Sequence, residues 1–79
     1  MSSQVQLAKI ILKEFERRKL KNPSYSMRAF SRFLDIDQST LSKFLSRDRD
    51  LSWKMMEKCM RKLQVSPEVF QDLKKYKQI

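Results

Sequence analysis

The chain contains no glycine and no histidine, a single cysteine, and only two prolines, Pro23 and Pro67. Without glycine there is no loop of the kind that cradles phosphate. Any turn needing a positive φ must also use another residue, and Asn22, Asp35 and Asp48 are the best suited because short polar side chains tolerate the left-handed backbone. Without histidine there is no imidazole for metal ligation or for general acid and base work. One cysteine, Cys59, can form neither an internal disulfide nor a structural zinc site, and it reads as a small buried hydrophobe compatible with a reducing cytoplasm. No carboxylate pair shares one helix face in a plausible cleft, so no enzyme, cofactor, metal or small-molecule substrate is expected. No apolar run approaches the roughly 20 residues that span a bilayer, and the opening Met1-Ser2-Ser3-Gln4 is not a charged leader followed by an apolar stretch. A soluble protein is expected.

What is present points to one helical domain. At 79 residues, 41% of them hydrophobic, the chain has room for one modest core and no low-complexity linker. The scarcity of glycine and proline favours helix interiors. Eighteen Lys and Arg against nine Asp and Glu leave a formal charge of +9, which calls for a polyanionic partner. Nucleic acid and an anionic membrane surface both qualify on charge. The membrane is the poorer fit, because the basic residues are scattered over several segments that also have apolar faces to bury.

The periodicity predicts five helices. The first covers about residues 3–20, with Val5, Ala8, Ile11, Leu12 and Phe15 on one face, Ser3 as cap and Asn22-Pro23 as stop. The second starts from the cap Ser26 and carries Met27, Phe30 and Leu34. The chain breaks at Asp35-Ile36-Asp37, and Asp37 caps a third helix over residues 38–46. That helix buries Leu41, Phe44 and Leu45 and leaves Ser39, Ser42, Lys43 and Ser46 on the opposite stripe. After the charged loop Arg47-Asp48-Arg49-Asp50, Ser52 opens a fourth helix with Trp53, Met56, Cys59, Met60 and Leu63 inside. A fifth begins at Ser66, with Pro67 and Glu68 in its first turn and Val69, Phe70, Leu73 and Tyr76 as its apolar face. The architecture expected is all-α.

Two short helices at a steep angle, locked by Phe30, Leu34, Ile36, Leu41 and Phe44, leave the second free to enter a groove. The stretch SMRAFSRFLDIDQSTLSKFLS, residues 26–46, resembles the helix-turn-helix of the lambda repressor and Cro-like family of bacterial and phage regulators. The layout of five helices is similar across nearly the whole chain. The segment KNPSYSMRAFSRFL also resembles the N-terminal domain of a bacterial regulator group that usually carries a larger downstream domain. This sequence departs from the family at Ser31, where alanine is usual, at Asp35, where glycine is usual, and at Met27, where a phosphate-bonding glutamine is common.

The resemblance implies a cytoplasmic, nucleoid-associated transcription regulator, bacterial or phage, that binds double-stranded DNA through a helix in the major groove. Gln38 and Ser39 match the family's base-contacting positions, and a glutamine can bond bidentately to adenine. Ser42 and Lys43 lie on the same outward stripe and are further candidates for bases. Thr40, Ser46, Arg47, Arg49, Arg28 and Arg32 are candidates for phosphate. For each, an ordinary solvated surface residue is the competing reading, and Asp48 and Asp50 offer Arg47 and Arg49 local partners. The run Arg17, Arg18, Lys19 and Lys21 reads first as a complement to the helix dipole. Family members commonly form homodimers to match two half-sites, so the face of Val69, Phe70, Leu73 and Tyr76 meets either the domain's own body or a second copy. An assembly module that uses the same fold against another polypeptide is the alternative function.

Overall fold

A computed structural model describes residues 3–66, 68 and 71. These residues form α1 (Ser3–Lys21), α2 (Met27–Leu34), α3 (Gln38–Leu45) and α4 (Trp53–Lys62), and no strand occurs among them. The apolar face expected for the last helix, Val69, Phe70, Leu73 and Tyr76, lies outside the described residues, whereas Glu68 and Gln71 are described and helical. No helix among the described residues is long and apolar enough to cross a membrane.

Three of the four helices start where short polar side chains can replace the missing backbone partner of a first-turn amide. Ser26 Oγ accepts from Ala29 N–H at 3.1 Å, Asp37 Oδ2 from Thr40 N–H at 3.2 Å, and Ser52 Oγ from Met55 N–H at 3.2 Å. Each such cap typically contributes about 1 kcal/mol. Ser3 is not a cap but the first residue of α1. The end of α1 is marked as expected: Asn22 Oδ1 accepts from Ser24 N–H and the Asn22 carbonyl from Tyr25 N–H, which turns the chain through Pro23.

The other helix ends correct the expected turn residues. Among the described residues the left-handed backbone occurs at Asp35 (φ 59°), Arg47 (φ 68°) and Gln64 (φ 55°), and not at Asn22 or Asp48. All three make the same pair of bonds. Asp35 N–H donates to Arg32 C=O and Ile36 N–H to Ser31 C=O; Arg47 to Phe44 and Asp48 to Lys43; Gln64 to Arg61 and Val65 to Met60. This is the Schellman arrangement, in which one left-handed residue lets two last-turn carbonyls find donors. Of the three, Asp35 is of a type that tolerates this angle readily, whereas Arg47 and Gln64 are not.

The core is one cluster. Leu7 and Ile11 of α1, Phe30 and Leu34 of α2, Leu41 and Phe44 of α3, and Cys59 of α4 are fully buried, joined by Met56, Met60 and the loop residues Ile36 and Leu51. Full burial of a side chain of this size contributes about 1.5–3 kcal/mol. In α1 the buried face is Leu7, Ala8 and Ile11, whereas Leu12, expected inside, is 43% exposed. α2 packs on α3 and α4, and α1 packs on α3. Ser31 sits at a 3% exposed position and satisfies its hydroxyl by donating to Arg28 C=O at 2.8 Å, so serine is accommodated where a smaller residue would serve. Burial pushes the Cys59 thiol up to about 11, as expected of a cysteine that packs rather than reacts.

Candidate nucleic-acid interface

α3 is short enough that its two sides have separate duties. Leu41 and Phe44 fasten it to the core, and Thr40 faces the same way, only 9% exposed. Gln38, Ser39, Ser42 and Lys43 stand in solvent on the other side. With Asp37 they line a shallow open depression along the outer face of the helix. The i, i+3, i+4 spacing puts these polar ends on one stripe, while Leu41 and Phe44 keep the helix from rolling. The turn before α3 is sharp, since Asp35 leaves the helical region instead of prolonging α2. It is also tied from below: Lys58 Nζ of α4 donates to Asp35 C=O at 3.1 Å and stands 3.5 Å from its carboxylate, offsetting an acid close to the start of α3.

Two of the expected phosphate contacts are placed less favourably. Thr40 is turned inward, so its side chain is not on the outer stripe. Ser46 is exposed, but its hydroxyl lies 3.2 Å from Lys43 C=O and 3.1 Å from Asp48 Oδ2, partners within its own turn. Thr40 lies one turn before Phe44 and so shares the buried face, whereas the partners of Ser46 depend on how the last turn of α3 closes.

The cations around α3 differ in how far they are engaged. Arg47 lies 3.8 Å from Asp50 Oδ1, a long and exposed pair, and its guanidinium is 5.8 Å from the Phe44 ring centroid. Arg28 and Arg32 on α2, Lys43 on α3 and Arg49 in the following loop are exposed and form no ion pair among the described residues. An exposed cation without a carboxylate neighbour is free to neutralise a phosphate without first breaking an internal contact.

The basic run at the end of α1 is built differently. Glu14 Oε2 accepts from Arg17 and from Arg18, each at 2.7 Å, and Glu14 Oε1 takes a second bond from Arg17 at 2.9 Å. The Arg17 bonds above all, opposed next by burial and helped by the bond from Arg18, hold the Glu14 carboxyl down at about 2. The Arg18 guanidinium lies 3.9 Å from the Phe33 ring centroid and donates to the Tyr25 hydroxyl at 3.3 Å. Beneath it Phe15, Tyr25, Phe30 and Phe33 pack ring to ring at 5.5–6.4 Å. Arg18 therefore clamps α1 to α2, a more specific duty than complementing a dipole. The i, i+4 spacing from Glu14 to Arg18 was visible in the sequence; the aromatic seat, assembled from two helices and a turn, was not.

Among the described residues no group of His, Cys, Asp or Glu is arranged to hold a metal ion. Comparison with protein-family models, with curated proteins and with solved structures finds no match for this chain.

Proposed function

We propose that this protein is a sequence-specific double-stranded-DNA-binding transcription regulator in which α2 and α3 act as a helix-turn-helix and α3 reads the major groove. The reading rests above all on the outer stripe of α3. Gln38, Ser39, Ser42 and Lys43 are all exposed, polar or cationic, and carried on a helix whose opposite side is locked into the core. Gln38 suits an adenine edge and Lys43 a guanine edge or a phosphate, with Ser39 and Ser42 as smaller partners between them. Arg28 and Arg32 on α2 and Arg47 and Arg49 in the loop after α3 suit the flanking phosphates, where they position the helix without specifying sequence. The resemblance of residues 26–46 to the lambda repressor and Cro-like motif supports the same assignment, as does the net charge of +9.

The test has two parts. Titration against random duplex at increasing salt should give a log–log slope of about −4, near −0.9 for each of four arginine–phosphate contacts. An affinity indifferent to salt would sink the proposal. Selection of bound sites from randomised duplex should then enrich a short motif, with the number and spacing of half-sites reporting how many copies bind. A pool that stays random removes sequence reading and leaves only electrostatic adhesion.

A further inference from the structure

The loop that follows α3 carries Arg47 and Arg49 and is held at both ends. At its start, Arg47 N–H donates to Phe44 C=O and Asp48 N–H to Lys43 C=O, tying the loop to the last turn of α3. At its far end the fastening comes from another part of the chain. Gln4, in the first turn of α1, accepts from Leu51 N–H through Oε1 at 2.9 Å and donates through Nε2 to Leu51 C=O at 2.8 Å. The same Nε2 lies 3.2 Å from Met56 Sδ. One carboxamide thus satisfies both backbone polar groups of Leu51, as a neighbouring strand would, across 47 residues of sequence. Leu51 is only 3% exposed, so these groups sit where water is scarce and a lost partner is poorly replaced.

We propose that Gln4 is the positioning residue for the basic loop: by pinning Leu51 it fixes Arg47 and Arg49 in one arrangement, so that both can meet the phosphates of a single duplex at once. This rests on the DNA-binding reading above, and Gln4 itself touches no nucleic acid in it. Only a side chain with an acceptor and a donor on one planar group matches the N–H and C=O of a single residue. Ionised glutamate has the shape but no donor, whereas protonated glutamate has both.

That difference supplies the test. Gln4→Glu is compared with wild type and with Gln6→Glu, which places the same charge on the same helix. All three are titrated with duplex DNA from pH 7.5 to pH 4.5, with folding followed by circular dichroism. At pH 7.5 Gln4→Glu should bind about tenfold more weakly than Gln6→Glu, with a salt slope shallower by about 1–2. As the pH falls and the new carboxyl protonates, affinity and slope should return to those of the control. In an Arg47→Ala/Arg49→Ala background the substitution at Gln4 should have no further effect on binding. A purely structural role for Gln4 lowers the melting temperature but leaves the slope of the folded protein unchanged, and that result overturns the proposal. Equal affinity and slope for the two glutamate variants across the pH range overturns it as well. Failure of the parent reading looks different, since wild type would then show no salt-dependent binding in its own titration, and the positioning claim would fall with it.

Discussion

The arginines at the end of α1 and those around α3 come from the same surplus of positive charge and are engaged differently within the fold. Arg17 and Arg18 share Glu14, and Arg18 is also seated on Phe33 and bonded to Tyr25. Around α3, Lys43, Arg28, Arg32 and Arg49 have no carboxylate partner among the described residues, and Arg47 has only a long one. A net charge of +9 therefore does not describe one uniform adhesive surface. Arg17 and Arg18 are committed within the fold, whereas Arg28, Arg32, Lys43 and Arg49 beside α3 remain available to a partner.

Charge reversal tests that division most strongly. Lys43→Glu with Arg49→Glu should weaken duplex binding by about 2–3 kcal/mol, roughly a hundredfold, while stability stays within about 0.5 kcal/mol of wild type. Lys19→Glu with Lys21→Glu makes the same change in net charge on α1 and should weaken binding far less. Fluorescence anisotropy on labelled duplex, read beside urea unfolding, checks both, and equal losses from the two pairs would erase the comparison.

A smaller effect probes the α1 side. The Glu14 carboxyl sits at about 2 in the folded protein, below its ordinary value of 4.5. A carboxyl lowered on folding contributes stability that is fully present above the unfolded value and is lost as the pH falls through the folded one. Wild type should therefore exceed Glu14→Gln by about 1 kcal/mol at pH 6, a figure kept small because Arg17 is more than half exposed. The difference should shrink from about pH 4.5 and vanish near pH 2, with duplex binding at neutral pH little altered. Urea unfolding across that range is the measurement.

The smallest expected effect has two signs. Arg47 holds a left-handed backbone at φ 68°, which a side chain with a Cβ adopts at some cost. Arg47→Gly relieves that cost but gives the unfolded chain more freedom, so a net gain of about 0.5 kcal/mol is expected. Binding to duplex should fall at the same time, and the salt slope should become shallower by about 1. Calorimetry and a salt titration on one preparation decide it, and a loss of stability would show that Arg47 sits in its turn more comfortably than φ suggests.

Much of this arrangement was legible in the sequence, for local reasons. The caps at Ser26, Asp37 and Ser52 and the outer stripe of α3 follow from residue type and spacing within one or two turns. The face of α1 was read less well. Apolar residues at Val5, Leu7, Ala8, Ile10, Ile11, Leu12 and Phe15 fit more than one stripe, and the helices packed against α1 select Leu7 over Leu12. The left-handed angles at Arg47 and Gln64 run against residue preference and so could not be read from residue type. Lys58 on Asp35, Gln4 on Leu51 and Arg18 on its aromatic seat join segments far apart in the chain, and no local pattern announces such contacts. The outward placement of Gln38, Ser39, Ser42 and Lys43 was foreseen, whereas the inward turn of Thr40 was set by how α3 leans on the core.

Glycine, the residue that turns most easily, is also the one whose backbone loses most freedom when a chain orders. A polypeptide with none begins from a stiffer denatured ensemble and surrenders less entropy on folding, which matters for a domain with so small a core. The difficulty of turning has been moved out of the disordered chain and concentrated in the native state, at Asp35, Arg47 and Gln64.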